Sequence, residues 1–307
     1  MVTVFKQYLA EEIAIDHADG IIGRREALRR LSMLGFGLPA ATALLAACGG
    51  GGDEVASPPP ATSGAPSASS APAPRPGQTV ATQAITFDGP RGRTLQGAWA
   101  PAATTPKGAV LVIHENRGLT DHIRSVAGRF AGSGFAALAI DLLSEEGGTA
   151  SLGGDAEATA ALAKVPPERF TADMRAGVAE LARRAPGAKI GAVGFCFGGG
   201  MTWLLVASGE PRLAAAAPFY GPLPDNADFK DSKAAVLGIY AEQDQRVNAS
   251  RGEARLALRR AGLTHTIVTY PGVDHAFFND TGPRHNPNVA RQAYQEVLNW
   301  FGRYLSA

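Results

Sequence analysis

From residue 108 onward the chain alternates between two kinds of segment. Six apolar runs have the length of strands: 108–115, 135–142, 189–195, 214–221, 234–244 and 265–272. Between and after them lie stretches expected to be helical, at 121–133, 168–185, 197–208, 249–261 and 287–305. In 168–185, Phe170, Met174, Val178 and Leu181 recur every three or four residues, the spacing of a helix with one buried face. Strands that are apolar on both sides need cover on both sides, which points to a mostly parallel sheet between helices. Ahead of them, 84–87 and 94–99 flank the turn DGPRG and predict a hairpin. The expected fold is therefore α/β, with an N-terminal hairpin and helices on both faces of the sheet.

Polar residues cluster where these strands end: His114, Glu115, Asp141, Cys196, Tyr220, Asp244 and His275. Open α/β sheets bind ligands outside the carboxyl ends of their strands, so these side chains are expected to converge. Gly194-Phe195-Cys196-Phe197-Gly198 is a G-x-C-x-G sequence between a strand and a helix. The serine version of this sequence is a nucleophile elbow, a sharp turn that lifts the central side chain above the sheet. The flanking glycines remove β-carbons that would clash in such a turn. The helix N-terminus just beyond it favours an anion. Asp244 follows Cys196 by 48 residues and His275 follows Asp244 by 31. Nucleophile, acid, histidine is the chain order of an α/β-hydrolase triad. In that arrangement His275 shuttles the thiol proton and Asp244 fixes the imidazole. Asp274 and Glu242 are rival acids, ranked lower; Asp274 is too close in sequence to curl onto the ring it precedes.

Four motifs make the sequence resemble the dienelactone hydrolase family of α/β-hydrolases: HENRG at 114–118, GFCFGG around Cys196, YAEQD ending at Asp244, and YPGVDHAF around His275. The α/β-hydrolase fold follows from the resemblance, as does a triad of Cys196, Asp244 and His275. It further implies that Glu115 contacts the resting thiol and helps to ionise it when substrate arrives; the alternative is that Glu115 pairs with Arg117 or Arg124. The backbone N–H of Phe197 is the expected oxyanion donor after the nucleophile. By resemblance the N–H of Asn116 is the second. The family holds its substrate's carboxylate with arginines, one of them four residues after the catalytic histidine. That position is Asn279 here, which carries no charge. Arg284 is a nearby substitute, and Tyr220 is a candidate for lining the pocket. His122 and His285 have no metal-ligand spacing with other residues, so no metal is expected, nor any cofactor.

The N-terminal region reads as an address. Arg24, Arg25, Arg29 and Arg30 precede the uncharged run LSMLGFGLPAATALLAA at 31–47, which is short of the ~20 residues a membrane span needs. A basic segment before a short apolar one describes an export signal. RREALR resembles a twin-arginine motif, and LAAC ending at Cys48 resembles a lipoprotein processing box. A plain export signal with an incidental cysteine is the alternative. Residues 49–77 hold 24 Gly, Ala, Pro or Ser in 29 positions, too few apolar groups to offset the entropy of ordering. The expected organisation is thus a signal at 1–47, a lipidated Cys48 heading a tether at 48–77, and a catalytic domain at 78–307. The expected location is the cell envelope, membrane-anchored through Cys48.

A formal net charge of +1 excludes the basic footprint of a nucleic-acid binder. Two cysteines are too few for a disulfide framework or a structural zinc site. The leading expectation is a monomeric thiol hydrolase acting on lactones or small activated esters. A broader carboxylesterase of envelope acyl groups is the alternative with the same machinery. A non-catalytic envelope binding module is the alternative from another class.

Overall fold

The computed structural model describes residues 4–48 and 78–306. The expected tether at 49–77 and the side chain of Cys48 lie outside the described residues. Three helices come first: α1 at Val4–Ala18, α2 at Arg24–Met33 and α3 at Leu38–Cys48. The hairpin follows as β1 (Gln83–Asp88) and β2 (Thr94–Ala100), paired antiparallel. Then come β3 (Ala109–Ile113), α4 (Asp121–Gly132), β4 (Ala136–Asp141), α5 (Asp155–Leu162), α6 (Pro167–Arg184), β5 (Ile190–Phe195) and α7 (Phe197–Ala207). The chain closes with β6 (Leu213–Phe219), β7 (Ala235–Ala241), α8 (Gln245–Asn248), α9 (Arg251–Arg260), β8 (His265–Tyr270) and α10 (Pro287–Leu305).

The strands form one sheet in the order β1-β2-β4-β3-β5-β6-β7-β8. Only the hairpin runs against its neighbours: β2 pairs antiparallel with β4, and the pairings from β4 through β3 to β8 are parallel. Strands β3, β4, β5 and β7 are buried at every position, as the continuous apolar runs require. On one side α4 meets α10 through Phe130, whose ring packs on Tyr294 and Phe301. Elsewhere α6 meets α7 through Phe170 and Phe197, with ring centroids 5.4 Å apart. Each such buried side chain contributes about 1.5–3 kcal/mol. Helix α10 starts where its sequence dictates: Pro287 stands in its first turn and the Asn286 side chain accepts from the Val289 amide at 3.1 Å, a standard N-cap.

Register places the chemistry. Ile113 pairs with Gly194, and Phe195 with Phe219. The residues just past these strand ends, Glu115, Cys196 and Tyr220, are therefore neighbours above the sheet. Ala241 pairs with Tyr270, so Asp244 and His275 emerge beside each other from β7 and β8.

Ahead of the expected catalytic domain at 78–307, α1 packs on the same body. Phe5, Tyr8, Leu9, Ile13 and Ala14 are buried and belong to the same apolar cluster as the sheet. Leu31 of α2 and Ala41 and Leu45 of α3 are buried with them. The signal-like apolar run therefore serves as packing surface. It bends at Gly35, which has φ 82°. No described helix is long and apolar enough to cross a membrane.

Candidate active site

Cys196 stands between β5 and α7 with φ 58° and ψ −121°. That left-handed backbone is strained for a residue with a side chain. The turn is tight because its glycines allow it: a Cβ on Gly194 would lie 2.1 Å from the Gly198 carbonyl oxygen, and one on Gly198 would lie 2.4 Å from that of Ile113. The Cys196 amide donates to the Phe219 carbonyl at 3.2 Å, which ties the elbow to β6. The side chain is buried, at 4 % exposure. Tyr220 (φ 33°) and Ala276 (φ 61°) are also in the left-handed region, so backbone strain gathers around this point.

His275 and Asp244 meet as the sequence implies. His275 Nδ1 lies 2.6 Å from Asp244 Oδ2. Asp244 Oδ1 accepts from the Val247 amide at 3.2 Å, so the residue is both N-cap of α8 and partner of the imidazole, through different oxygens. Burial pushes the Asp244 carboxyl up, but His275, its hydrogen bond and Arg246 outweigh this and hold it below the usual range. The rival acids are spent on the turn. Asp274 accepts from the His275 amide at 2.6 Å, and Glu242 from the Gly272 amide at 2.8 Å.

Glu115 is buried and accepts from Asn279 Nδ2 at 2.7 Å. Neither Arg117 nor Arg124 is its partner; Arg117 instead reaches Asp155 at 3.3 Å. Burial, the first cause, raises the Glu115 carboxyl above its ordinary value. Asn279 thus occupies itself with Glu115 through Nδ2 and with Thr281 through Oδ1. His114 positions this loop. Its Nε2 accepts from the Leu142 amide at 3.1 Å, which leaves Nδ1 to donate to the Glu115 carbonyl at 2.6 Å. Tyr220 packs edge-on to the His275 ring, with centroids 5.0 Å apart. Asp141 does not join the group: its carboxylate accepts from the Leu143 and Thr149 amides.

Three contacts at the candidate site come from α1, outside the segments expected to carry it. The Tyr8 hydroxyl of α1 donates to Cys196 Sγ at 3.2 Å and lies 3.3 Å from His275 Nε2. Glu12 Oε1 lies 3.5 Å from the same nitrogen. Arg246 of α8 reaches Glu12 at 2.5 Å and stacks over the Tyr8 ring, 4.1 Å from its centroid. Burial, then the Cys196 and Glu12 charges, raise the Tyr8 phenol well above its usual value, so it stays protonated and donates. Burial alone would lower His275, but Glu12 and Asp244 outweigh it and hold the imidazole well above its ordinary value. The helical spacing of Phe5, Leu9 and Ile13 was a visible signal that residues 4–18 fold. Nothing in it names their seat.

Glu12, Cys196 and His275 offer donor atoms within 4.8 Å of one another. Tyr8 bonds to two of these groups and the Arg246 guanidinium to the third, so the donor set is already used by protein partners and fits a metal poorly. The space left at the site is a cavity of about 50 Å³ lined by Glu12, Glu115, Cys196, His275, Asn279 and Arg284, among others. Small-molecule sites run to about 300–1,000 Å³, so this one is filled. A larger cavity of about 260 Å³, beside Gln96, Arg124 and Asp141, contains none of the triad residues.

The model of the dienelactone hydrolase family matches residues 96–305. A protein of Methylorubrum extorquens named as a carboxymethylenebutenolidase is 32% identical over 218 residues, covering 66% of this chain and 75% of its own. One of Escherichia coli K12 with the same name is 33% identical over 213 residues, covering 65% and 78%. A crystal structure from Klebsiella pneumoniae, named as a dienelactone hydrolase, superposes with a TM-score of 0.63 at 30% identity, covering 73% of this chain and all of its own. The fold is that of the α/β-hydrolases, and the chain belongs to the dienelactone hydrolase family.

Proposed function

We propose that the chain is a thiol hydrolase of lactones or small activated esters, with Cys196 as nucleophile, His275 as general base and acid, and Asp244 as the group that orients it. The observation that carries this reading is the pairing of a cysteine on a strained elbow with an imidazole fixed at 2.6 Å by a buried aspartate. The Cys196 sulfur attacks the carbonyl carbon as His275 takes the thiol proton. The tetrahedral oxyanion is held by the Phe197 and Asn116 amides, each such donor contributing on the order of 3 kcal/mol. Collapse breaks the ester C–O bond, and His275 returns the proton to the leaving alkoxide. Water then cleaves the acyl-thioester with His275 as base. Glu115 acts beside this centre as a buried carboxyl, and a substrate group replaces its contact with Asn279.

A broader carboxylesterase is the second reading, favoured by the neutral Asn279 facing Glu115. Arginine would suit a substrate carboxylate through its planar, bidentate fork. Rates on a neutral aryl ester and on an acidic lactone decide between them. Comparable kcat/KM values support the broad esterase. A preference of about tenfold or more for the acidic lactone, about 1.4 kcal/mol, supports the narrow one. In the same reading the chain is exported and lipidated at Cys48. Radiolabelled palmitate incorporation that is lost in Cys48→Ser tests this, and incorporation unaffected by that change refutes it.

A further inference from the structure

We propose that α1 is an intramolecular plug: residues 4–18 fill the catalytic cleft and hold the hydrolase inactive until this helix leaves. The inhibitory part of the inference rests on the hydrolase reading above; the occupancy does not.

The cleft is shaped for this helix. Phe5 enters an aromatic seat on Phe197, with centroids 6.1 Å apart. Gly200 makes the room: a Cβ there would lie 3.1 Å from the Phe5 ring. Tyr8 and Glu12 come next along the helix at spacings of three and four, the spacing of one helical face. Tyr8 takes the position between nucleophile and base, with its hydroxyl bonded to both. Glu12 binds the guanidinium of Arg246 through Nη2, and Nε and Nη1 make no hydrogen bond among the described residues. One turn further, Asp16 and Asp19 bind Arg284 at 3.1 and 2.5 Å. Acidic residues thus run along α1 onto the cationic rim formed by Arg246 and Arg284. This partner is an acidic, aromatic-tipped helix, and the chain supplies it.

The plug disarms the site in two ways. It excludes substrate, since only about 50 Å³ remains. It also ties up the imidazole. Nε2 is the nitrogen that must take the thiol proton, and it faces a phenol and a carboxylate instead. Glu12 near Nε2 and Asp244 on Nδ1 both favour the charged form of the imidazole. A protonated imidazole cannot act as a base. Removal of residues 1–47 at Cys48 would take the whole plug away, so processing would switch the enzyme on.

The test uses the full chain in a Cys48→Ser background, so that Cys196 is the sole thiol. The rate of Cys196 alkylation by iodoacetamide is measured for the parent, for Tyr8→Ala and for Glu12→Lys, together with hydrolysis of p-nitrophenyl acetate. Far-ultraviolet circular dichroism checks that each variant is folded. Glu12→Lys sets a cation against Arg246 and ejects the helix even where Tyr8→Ala only loosens it. Alkylation at least tenfold faster in the variants, with faster ester turnover, is expected. Faster alkylation with no ester turnover in parent or variants supports the plug and refutes the hydrolase reading instead. Alkylation at the parent's rate in both variants overturns the plug. So does faster alkylation with ester turnover below the parent's, because Tyr8 and Glu12 would then belong to the working site.

Discussion

The Tyr8 hydroxyl donates to the Cys196 sulfur at 3.2 Å, across 188 residues of chain. A helix from the part of the sequence that reads as an address therefore touches the elbow cysteine. Cys196, His275 and Asp244 stand in one line of contacts through Tyr8, not through a direct thiol–imidazole bond. The candidate site and the helix that fills it are parts of one chain.

In the proposed triad Asp244 fixes the His275 ring through Nδ1 at 2.6 Å, so that Nε2 can take a proton once α1 has left. Asp244→Asn keeps the size and the cap on α8 but presents an amide to Nδ1. The expected result is a fall in kcat of about 10²–10⁴-fold with KM little changed, in line with other triads. Steady-state kinetics with a p-nitrophenyl ester measures it. A kcat within a few-fold of the parent's would show that another group orients the ring.

The elbow depends on its glycines. Gly198→Ala would place a methyl carbon 2.4 Å from a backbone oxygen of β3, which cannot swing aside as a side chain can. The expected destabilisation is at least about 3 kcal/mol, the upper part of the range for overpacking. Urea unfolding reports it as a lower midpoint at an unchanged slope. A midpoint equal to the parent's would mean that the turn relaxes freely.

Much of this was legible in the sequence, for physical reasons. The sheet was legible because strands covered on both faces must be apolar throughout, and β3, β4, β5 and β7 are. The triad partners were legible because strand ends place them, and His275 does meet Asp244. The partner of Glu115 was not. The expectation was the resting thiol, with Arg117 or Arg124 as the alternative; loop geometry decides it, and the hydrogen bond comes from Asn279. Helix α5 was also not read; its short segment is rich in alanine and lacks a clear apolar face. The seat of α1 was hidden for a different reason. Glu12 and Asp16 look like solvent-facing charges in a list of residues, yet both are buried against Arg246 and Arg284. Their partners lie more than two hundred residues away, and no local pattern reveals such a pairing.

Stability should follow pH through the same cluster. His275 is raised above its unfolded value of about 6.5. Its contribution is complete below that pH and is lost as pH rises through the folded value. Glu12 is lowered: burial opposes its charge, but His275 and Arg246 outweigh it. Its contribution is present above the unfolded carboxylate value of about 4.3 and is lost as pH falls. The full chain should therefore be most stable in mildly acidic solution and lose stability on the alkaline side. Glu12→Gln should flatten the alkaline decline, measured as urea midpoints from pH 5 to pH 9. An identical decline in both proteins would show that Glu12 and His275 do not interact.

Pre-steady-state release of p-nitrophenol from its acetate tests the central claim most directly. It is measured on the full chain and on Glu12→Lys, each before and after iodoacetamide treatment. The account predicts a burst of about one equivalent per chain in Glu12→Lys, a smaller or slower burst in the full chain, and none after alkylation or in Cys196→Ala. Steady release with no burst in either chain, surviving alkylation and Cys196→Ala alike, would contradict it.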